Sequence, residues 1–162
     1  MALVSTISAS NANSYVSVSD ADTYFAARYG ADDWSALSPT QKESLLITAT
    51  RIIDNLNFGG VKETAAQALE WPRLYVYDRR GDTIATTSYP VHLTNAVLEQ
   101  ALVLLNSDEV DATISSESVS MDGLSISKTY RNRSVLNENV ENELKAIGDG
   151  AFYKRKPISL VR

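Results

Sequence analysis

The chain has no cysteine and only one histidine, His92, among its 162 residues. Without cysteine, disulfides and thiolate metal sites are excluded, and a single histidine excludes a cluster of imidazole ligands within one chain. No apolar run approaches the ~20 residues of a bilayer-spanning helix, and the first residues lack the basic and apolar regions of a signal peptide. We therefore expect no membrane partner, no metal or other cofactor, and an intracellular origin.

Positive charge is scarce in most of the chain and concentrated at its end. Lys154, Arg155, Lys156 and Arg162 lie in the last nine residues, so positions 1–153 carry 11 basic and 20 acidic residues. Affinity for nucleic acid rests on neutralising phosphates, so an acidic body disfavours general phosphate binding. A basic end on an acidic body indicates either docking to an acidic partner or a solvated terminus.

Motifs of catalysis are also missing. The sequence has no serine–histidine–aspartate order, phosphate loop or nucleotide fingerprint. The acid pairs at 32–33 and 108–109 lie beside predicted helix ends, where acids are common and exposed. His92 falls in the first turn of a predicted helix, where we expect a partly buried structural residue. The sequence thus predicts that the protein is not an enzyme.

Helical patterns with start and stop signals cover much of the chain. Ser38, Pro39 and Gln41 form a capping box with proline at the first helical position, and Ser19 is the expected N-cap of an earlier helix. The predicted helices are 20–29, a helix from Pro39 toward Gly59 and Gly60, a short helix at 63–69, a long apolar helix after Pro90, and 136–147. We expect one mainly α domain, a small bundle of four to five helices.

Residues 117–128 predict one β-hairpin around an Asp-Gly turn that suits type I′. The register pairs Val119 with Ile126 and Met121 with Leu124 on one face, whereas the other face is all serine. One face should therefore be buried and the other exposed to water. An isolated hairpin is marginally stable, so this one must pack on helices or on a neighbouring subunit.

Trp71, Pro72 and Arg73 predict a sharp corner. Pro72 has no N–H and disfavours helical geometry at Trp71, so a large aromatic is set where the chain leaves a helical region. Burial of the indole would require a hydrogen-bond partner for its N–H. The corner is either a packed structural turn or a turn in which Arg73 also fixes a loop or contacts another subunit.

The segment 74–89 predicts an irregular excursion with short strands. In it Tyr75, Tyr77, Arg79 and Arg80 interleave aromatic rings with cations. Binders of single-stranded nucleic acid stack bases on such rings while cations follow the backbone. The alternative is a solvated loop tip with the tyrosines tucked beneath it.

The end of the chain is unusual for a disordered terminus. Disordered ends are poor in aromatic and branched aliphatic residues, whereas residues 151–162 keep several of them. We therefore divide the chain into a helical domain at 1–150 and an extended C-terminal arm at 151–162, which is either disordered or adds a strand or fills a groove on a partner. The predicted docking residues are Phe152, Tyr153, Lys154, Arg155, Lys156, Ile158, Leu160 and Arg162.

Several short motifs follow one another in a fixed order. They are 13–16 (Asn-Ser-Tyr-Val), 21–25 (Ala-Asp-Thr-Tyr-Phe), Trp34, 50–54 (Thr-Arg-Ile-Ile-Asp), 59–62 (Gly-Gly-Val-Lys), 67–73 (Gln-Ala-Leu-Glu-Trp-Pro-Arg), Pro90, and the Asp122–Gly123 hairpin. As a set, over most of residues 13–150, the chain resembles the head-tail adaptors of tailed phages, also called connector, head-completion or neck proteins.

This resemblance implies a structural protein of the virion neck, assembled in the cytoplasm of a bacterial host. On this resemblance, copies would form a closed ring, commonly of about twelve. The ring would sit beneath the portal protein, extend the DNA channel and join the head to the tail or to the next neck protein.

The resemblance also implies roles for particular residues. The C-terminal arm would reach into the portal, while Arg79 and Arg80 would contact channel DNA or a neighbouring subunit. Genomic DNA would pass without sequence-specific binding, and an acidic body suits a channel in which DNA slides. Some members of the family are labelled single-stranded-DNA-binding proteins after a primosomal replication factor. A single-stranded-DNA-binding replication accessory protein is therefore the alternative function.

Overall fold

The computed structural model describes residues 2–106, 118–121, 124–127, 136–148 and 151–153. In these ranges the chain is mainly α, with five helices and six short strands, which confirms the predicted fold class. The helices are α1 (Val18–Ala26), α2 (Asp32–Ala36), α3 (Pro39–Asp54), α4 (Val91–Asn106) and α5 (Glu138–Ala146). The strands are β1 (Asn57–Phe58), β2 (Val61–Lys62), β3 (Arg73–Leu74), β4 (Ser118–Met121), β5 (Leu124–Ser127) and β6 (Phe152–Tyr153).

The start of α3 confirms the predicted capping box. The Ser38 hydroxyl accepts from the backbone N–H of Gln41, and the Gln41 side chain accepts from the Ser38 N–H at 2.9 Å. Two of the donors left free in the first turn of a helix are satisfied in this way. The helix ends at Asp54, before the predicted glycine stop, because the chain then enters β1.

The start of α1 differs from the prediction. Ser17, not Ser19, is the N-cap: its hydroxyl accepts from the Asp20 N–H at 3.2 Å and donates to the Asp20 carboxylate at 2.6 Å. The helix therefore begins at Val18, two residues earlier than expected, and ends at Ala26 rather than at residue 29. Both serines have an acid three residues later, so the local sequence does not distinguish them. Asp22, three residues after Ser19, instead accepts from the Trp34 indole N–H and from Lys42, both at 2.8 Å.

The predicted helix at 63–69 is wrong. This segment is a turn organised by the buried Gln67 side chain, which accepts from the Thr64 N–H at 3.0 Å and donates to the carbonyls of Leu69 at 2.9 Å and Pro72 at 3.0 Å. A side-chain amide that satisfies backbone groups offers the chain an alternative to a helix. The five-residue helix α2 was not predicted, because it is too short to show a helical period.

Helix α4 lies at the centre, between α3 and α5, as its apolar circumference predicts. Its first turn contacts α5 through His92, whose Nδ1 lies 2.8 Å from a Glu143 carboxylate oxygen. The His92 side chain is 44% exposed, which confirms a partly buried structural residue. The fully buried core residues of these three helices are Leu46, Ala49 and Ile53 of α3, Leu93, Ala96, Val97 and Ala101 of α4, and Val140 and Leu144 of α5.

The strands form three antiparallel pairs. The hairpin β4–β5 has the predicted register, with Val119 opposite Ile126 and Met121 opposite Leu124. Its Asp-Gly turn lies outside the described residues. The pairs β1–β6 and β2–β3 join distant parts of the chain, and the second places Val61 opposite Leu74. Within the described ranges, every helix is too short or too polar to span a bilayer.

Candidate interaction surface

Arg73 of the predicted corner is buried, with 8% of its surface exposed. Its guanidinium donates to the carbonyl of Gly59 at 2.6 Å, to the carbonyl of Gly60 at 3.0 Å and to the Glu70 carboxylate at 2.5 Å. A rigid fork of donors is suited to several acceptors at once. Arg73 therefore fixes the loop that joins β1 to β2, and its donors are used within the chain.

The aromatic side chain of the corner is also internal. Trp71 is 1% exposed, its ring packs edge-on against Phe58 at 5.8 Å, and the Trp71–Pro72 peptide bond is cis. The backbone N–H of Trp71 donates to the Tyr15 hydroxyl at 3.2 Å. Contrary to expectation, its buried indole Nε1 has no hydrogen-bond partner among the described residues. Trp71 is held through its backbone N–H and the edge-on contact of its ring with Phe58.

Asp54, at the end of α3, connects this corner to the N-terminal segment. One carboxylate oxygen, Oδ1, accepts from the Tyr15 hydroxyl and, at 2.8 Å, from the Glu70 N–H. Burial raises the pKa of Asp54, and burial together with the adjacent carboxylate raises the pKa of Tyr15. Asp54 belongs to one of the motifs noted in the sequence, but its role depends on contacts 16 and 39 residues away.

The corner leads into residues 74–84, which we call the aromatic loop. A tight turn forms its tip: Asp78 Oδ1 accepts from the N–H groups of Arg80 at 2.8 Å and Asp82 at 2.9 Å, and Gly81 has a φ of +87°. These backbone donors, the Asp82 N–H first, lower the pKa of Asp78. Tyr77 and Thr83 form a bridge across the loop. The segment is thus an ordered turn within the irregular excursion that the sequence predicts.

Both tyrosines of the aromatic loop are exposed, Tyr75 by 71% and Tyr77 by 48%. The solvated-loop interpretation required the tyrosines to be tucked beneath the loop, and they are not. Leu74 directly precedes Tyr75 in the chain and pairs with Val61 across β2–β3; Val61 is 51% exposed and Leu74 is 37% exposed. We call these four residues the apolar patch. Among the described residues they are four of the six exposed large apolar side chains, so exposed apolar surface is concentrated here.

The two arginines of the aromatic loop differ in their surroundings. Arg80 lies 3.7 Å from an Asp78 carboxylate oxygen and 3.6 Å from one of Asp82. Arg79 is exposed and forms no ion pair within the described part of the chain. Two arginines and two aspartates give the loop a balanced charge, so its cations do not form a strong phosphate-binding site.

Two glycines allow the aromatic loop to lie close to the rest of the fold. A Cβ on Gly60, whose φ is +69°, would overlap the carbonyl oxygen of Leu74. A Cβ on Gly148, directly after α5, would overlap the carbonyl oxygen of Tyr77. The loop is therefore seated against the β1–β2 turn on one side and against the end of α5 on the other.

A polar cleft of about 350 Å³ lies between α1, α4 and α5. Its central carboxylate, Glu99, accepts from Arg28 at 2.6 and 3.0 Å and from the Tyr24 hydroxyl at 2.7 Å. The Arg28 guanidinium holds the pKa of Glu99 below its usual range. Glu99 therefore links α4 to α1 and to the residues that follow α1. Among the described residues, no group of acids or histidines is suited to hold a metal ion.

Two residues of the predicted arm, Phe152 and Tyr153, form β6 and pair with β1. Ala151 before them is fully buried, and Phe152 packs on the core. The remaining predicted docking residues, Lys154, Arg155, Lys156, Ile158, Leu160 and Arg162, lie outside the described residues.

The model of a family described as "Putative DnaT-like ssDNA binding protein" matches residues 1–147. No curated protein and no solved structure matches. The matched range includes the corner, the aromatic loop and α5, and it ends before β6.

Proposed function

The chain belongs to the family described as "Putative DnaT-like ssDNA binding protein", and we propose that within it the protein acts as a structural head-tail adaptor of a tailed bacteriophage. Copies would form a ring in the virion neck, beneath the portal protein, after assembly in the cytoplasm of the host. The ring would extend the DNA channel and join the head to the tail or to the next neck protein. The proposal combines the resemblance carried by the ordered motifs with the charge and the exposed apolar residues of the described surface.

The observation that carries the proposal is the charge of that surface. The described residues contain eight Lys and Arg against fourteen Asp and Glu. Six of the eight cations, all except Arg51 and Arg79, pair with carboxylates of the described chain. A protein that binds nucleic acid gains affinity by releasing counterions from phosphates, which requires unneutralised cations. This surface is better suited to a channel along which DNA slides than to one that holds it.

The apolar patch supports contact with other proteins. Clustered exposed apolar residues usually mark an interaction site, whereas single ones need no explanation. Val61 and Leu74 are exposed and pair across β2–β3, and the exposed Tyr75 and Tyr77 follow Leu74 in the aromatic loop. A subunit that is completed by its neighbours would expose a surface of this kind when it is alone.

The second candidate function is single-stranded-DNA binding, in a replication accessory protein. The description of the family names this activity. The exposed rings of Tyr75 and Tyr77 beside Arg79 provide the structural feature that favours it, since stacking on a ring contributes about 1–3 kcal/mol per base. On this hypothesis the aromatic loop is the binding site.

Fluorescence anisotropy with labelled single-stranded oligonucleotides at ~150 mM salt separates the two functions. The adaptor proposal predicts no saturable binding at micromolar protein and no difference between wild type and an Arg79→Ala/Arg80→Ala variant. Tyr75→Ala/Tyr77→Ala serves as a second variant that removes the rings and keeps the cations. Micromolar binding that both variants lose would overturn the adaptor proposal and assign DNA binding to the aromatic loop.

A further inference from the structure

Residues 151–153, which we call the strap, contact the turn between β1 and β2, and that turn contacts the aromatic loop. We propose that the strap is a releasable element that holds the aromatic loop in place. Movement of the strap away from β1 would then change the surface that Tyr75 and Tyr77 present. This coupling goes beyond the proposed function, and it applies to both candidate functions because each places a contact on those two tyrosines.

The strap is attached to β1 by few interactions. Strand β6 pairs with β1 over two residues, with Phe152 opposite Phe58, and the two rings lie 6.4 Å apart. The Ala151 carbonyl accepts from the Gly59 N–H at 3.1 Å. A ladder this short can open locally at a small cost in free energy while the helices stay folded.

From β1 the contacts continue to the start of the aromatic loop. Arg73 donates to the carbonyls of Gly59 and Gly60, so it binds the same turn that the strap binds. A Cβ on Gly60 would lie 2.1 Å from the Leu74 carbonyl oxygen, so this turn and the first residue of the aromatic loop touch through their backbones. The strap therefore reaches the aromatic loop through the β1–β2 turn.

A second contact reaches the middle of the aromatic loop. A Cβ on the buried Gly148 would lie 1.9 Å from the Tyr77 carbonyl oxygen. The Gly148 carbonyl accepts from the Ala151 N–H at 3.2 Å, so the strap is bonded to the residue that abuts the loop. At Leu74 and at Tyr77 the loop thus meets two backbone segments that the strap connects. Because these contacts leave no room for a side chain, side-chain rotation cannot absorb a displacement there.

Hydrogen exchange followed by NMR on the full-length chain tests the coupling. The reporters are the amides of Asp78 and Ile84, which donate to carbonyls within the aromatic loop at 2.8 and 3.0 Å and make no hydrogen bond with the strap. Phe152→Ala removes the ring contact with Phe58. In this variant we expect both amides to exchange roughly tenfold faster than in wild type.

Phe25→Ala is the matched control for a general loss of stability. The Phe25 ring is buried and packs on Trp34 of α2 at 4.5 Å. We expect a lower urea midpoint in this variant but no faster exchange of the reporter amides, because loop amides exchange through local opening. Equal acceleration in Phe25→Ala and Phe152→Ala, or no acceleration in Phe152→Ala, would overturn the coupling.

A lock on the strap gives a test that removes no part of the core. Asn57 and Tyr153 are opposite each other in the β1–β6 ladder, and antiparallel partners lie at a distance that a disulfide can bridge. Asn57→Cys/Tyr153→Cys would carry the only two cysteines of the chain. We expect the reporter amides to exchange more slowly in the oxidised form than in the reduced form of this one protein. Equal rates in the two forms would show that the loop moves independently of the strap.

Discussion

Replacing Arg73 with alanine is expected to lower the free energy of unfolding by about 3–5 kcal/mol, a loss typical of breaking a buried ion pair. The guanidinium is buried, and it serves the carbonyls of Gly59 and Gly60 as well as the Glu70 carboxylate. The alanine variant would leave these acceptors without their donor in a packed region. Urea denaturation monitored by tryptophan fluorescence measures the effect.

Two further variants test the geometry behind this expectation. Arg79→Ala is the matched control, because Arg79 is exposed outside any ion pair of the described chain, and we expect a change within about 0.5 kcal/mol. Arg73→Lys keeps the charge but not the fork of donors, so it should recover only part of the loss. An Arg73→Ala variant as stable as Arg79→Ala would contradict the corner as described.

Replacing Asp54 with alanine should cost roughly 2–3 kcal/mol, since each buried donor left unpaired costs about 1–3 kcal/mol. The Tyr15 hydroxyl and the Glu70 N–H both donate to Asp54 Oδ1. Asp54→Asn is the informative comparison, because its single side-chain oxygen can accept both bonds without a buried charge. We expect the asparagine variant to stay within about 1 kcal/mol of wild type at neutral pH. Equal losses in the two variants would show that the carboxylate charge itself is needed.

The stability difference between wild type and Asp54→Asn should depend on pH, because burial raises the pKa of Asp54. Between its unfolded and its folded pKa, the folded chain binds more protons than the unfolded chain at this site. The contribution of Asp54 to stability therefore falls as pH rises through that window and is constant above it. The stability of Asp54→Asn relative to wild type should rise over the same window. Carboxylates with lowered pKa values, such as Glu99, are present in both proteins, so their contributions cancel when the two free energies of unfolding are subtracted. A difference that is flat with pH would contradict a buried charge at Asp54.

The predictions from sequence that are confirmed depend on local chemistry. The capping box at Ser38 and Gln41 involves four consecutive residues, and the hairpin register follows from alternation around an Asp-Gly turn. The central position of α4 follows from its apolar circumference. In each case the residues that determine the structure are neighbours in the chain.

The predictions that are wrong depend on competing or distant partners. Residues 63–69 have helical composition, but the Gln67 amide bonds to Leu69 and Pro72 across a turn instead. The start of α1 was displaced because a second serine was available as a cap.

The apolar patch could not be predicted, because it exists only once β2 pairs with β3. That pairing brings Val61 and Leu74 together across 13 positions of sequence. The exposure of Tyr75 and Tyr77 likewise depends on where Gly60 and Gly148 seat the loop. The alternation of aromatic and cationic residues identified the segment but not the surface that it would present.

Electron microscopy of portal-bearing, DNA-filled capsids incubated with the purified protein tests the adaptor function most directly. A variant that lacks residues 154–162 is the control, and the deletion begins after β6 because Phe152 and Tyr153 pair with β1. We predict a ring of added density beneath the portal with the full-length protein and none with the shortened variant, which should remain folded. Capsids without added density from the full-length protein, together with micromolar binding to single-stranded DNA, would contradict the adaptor function.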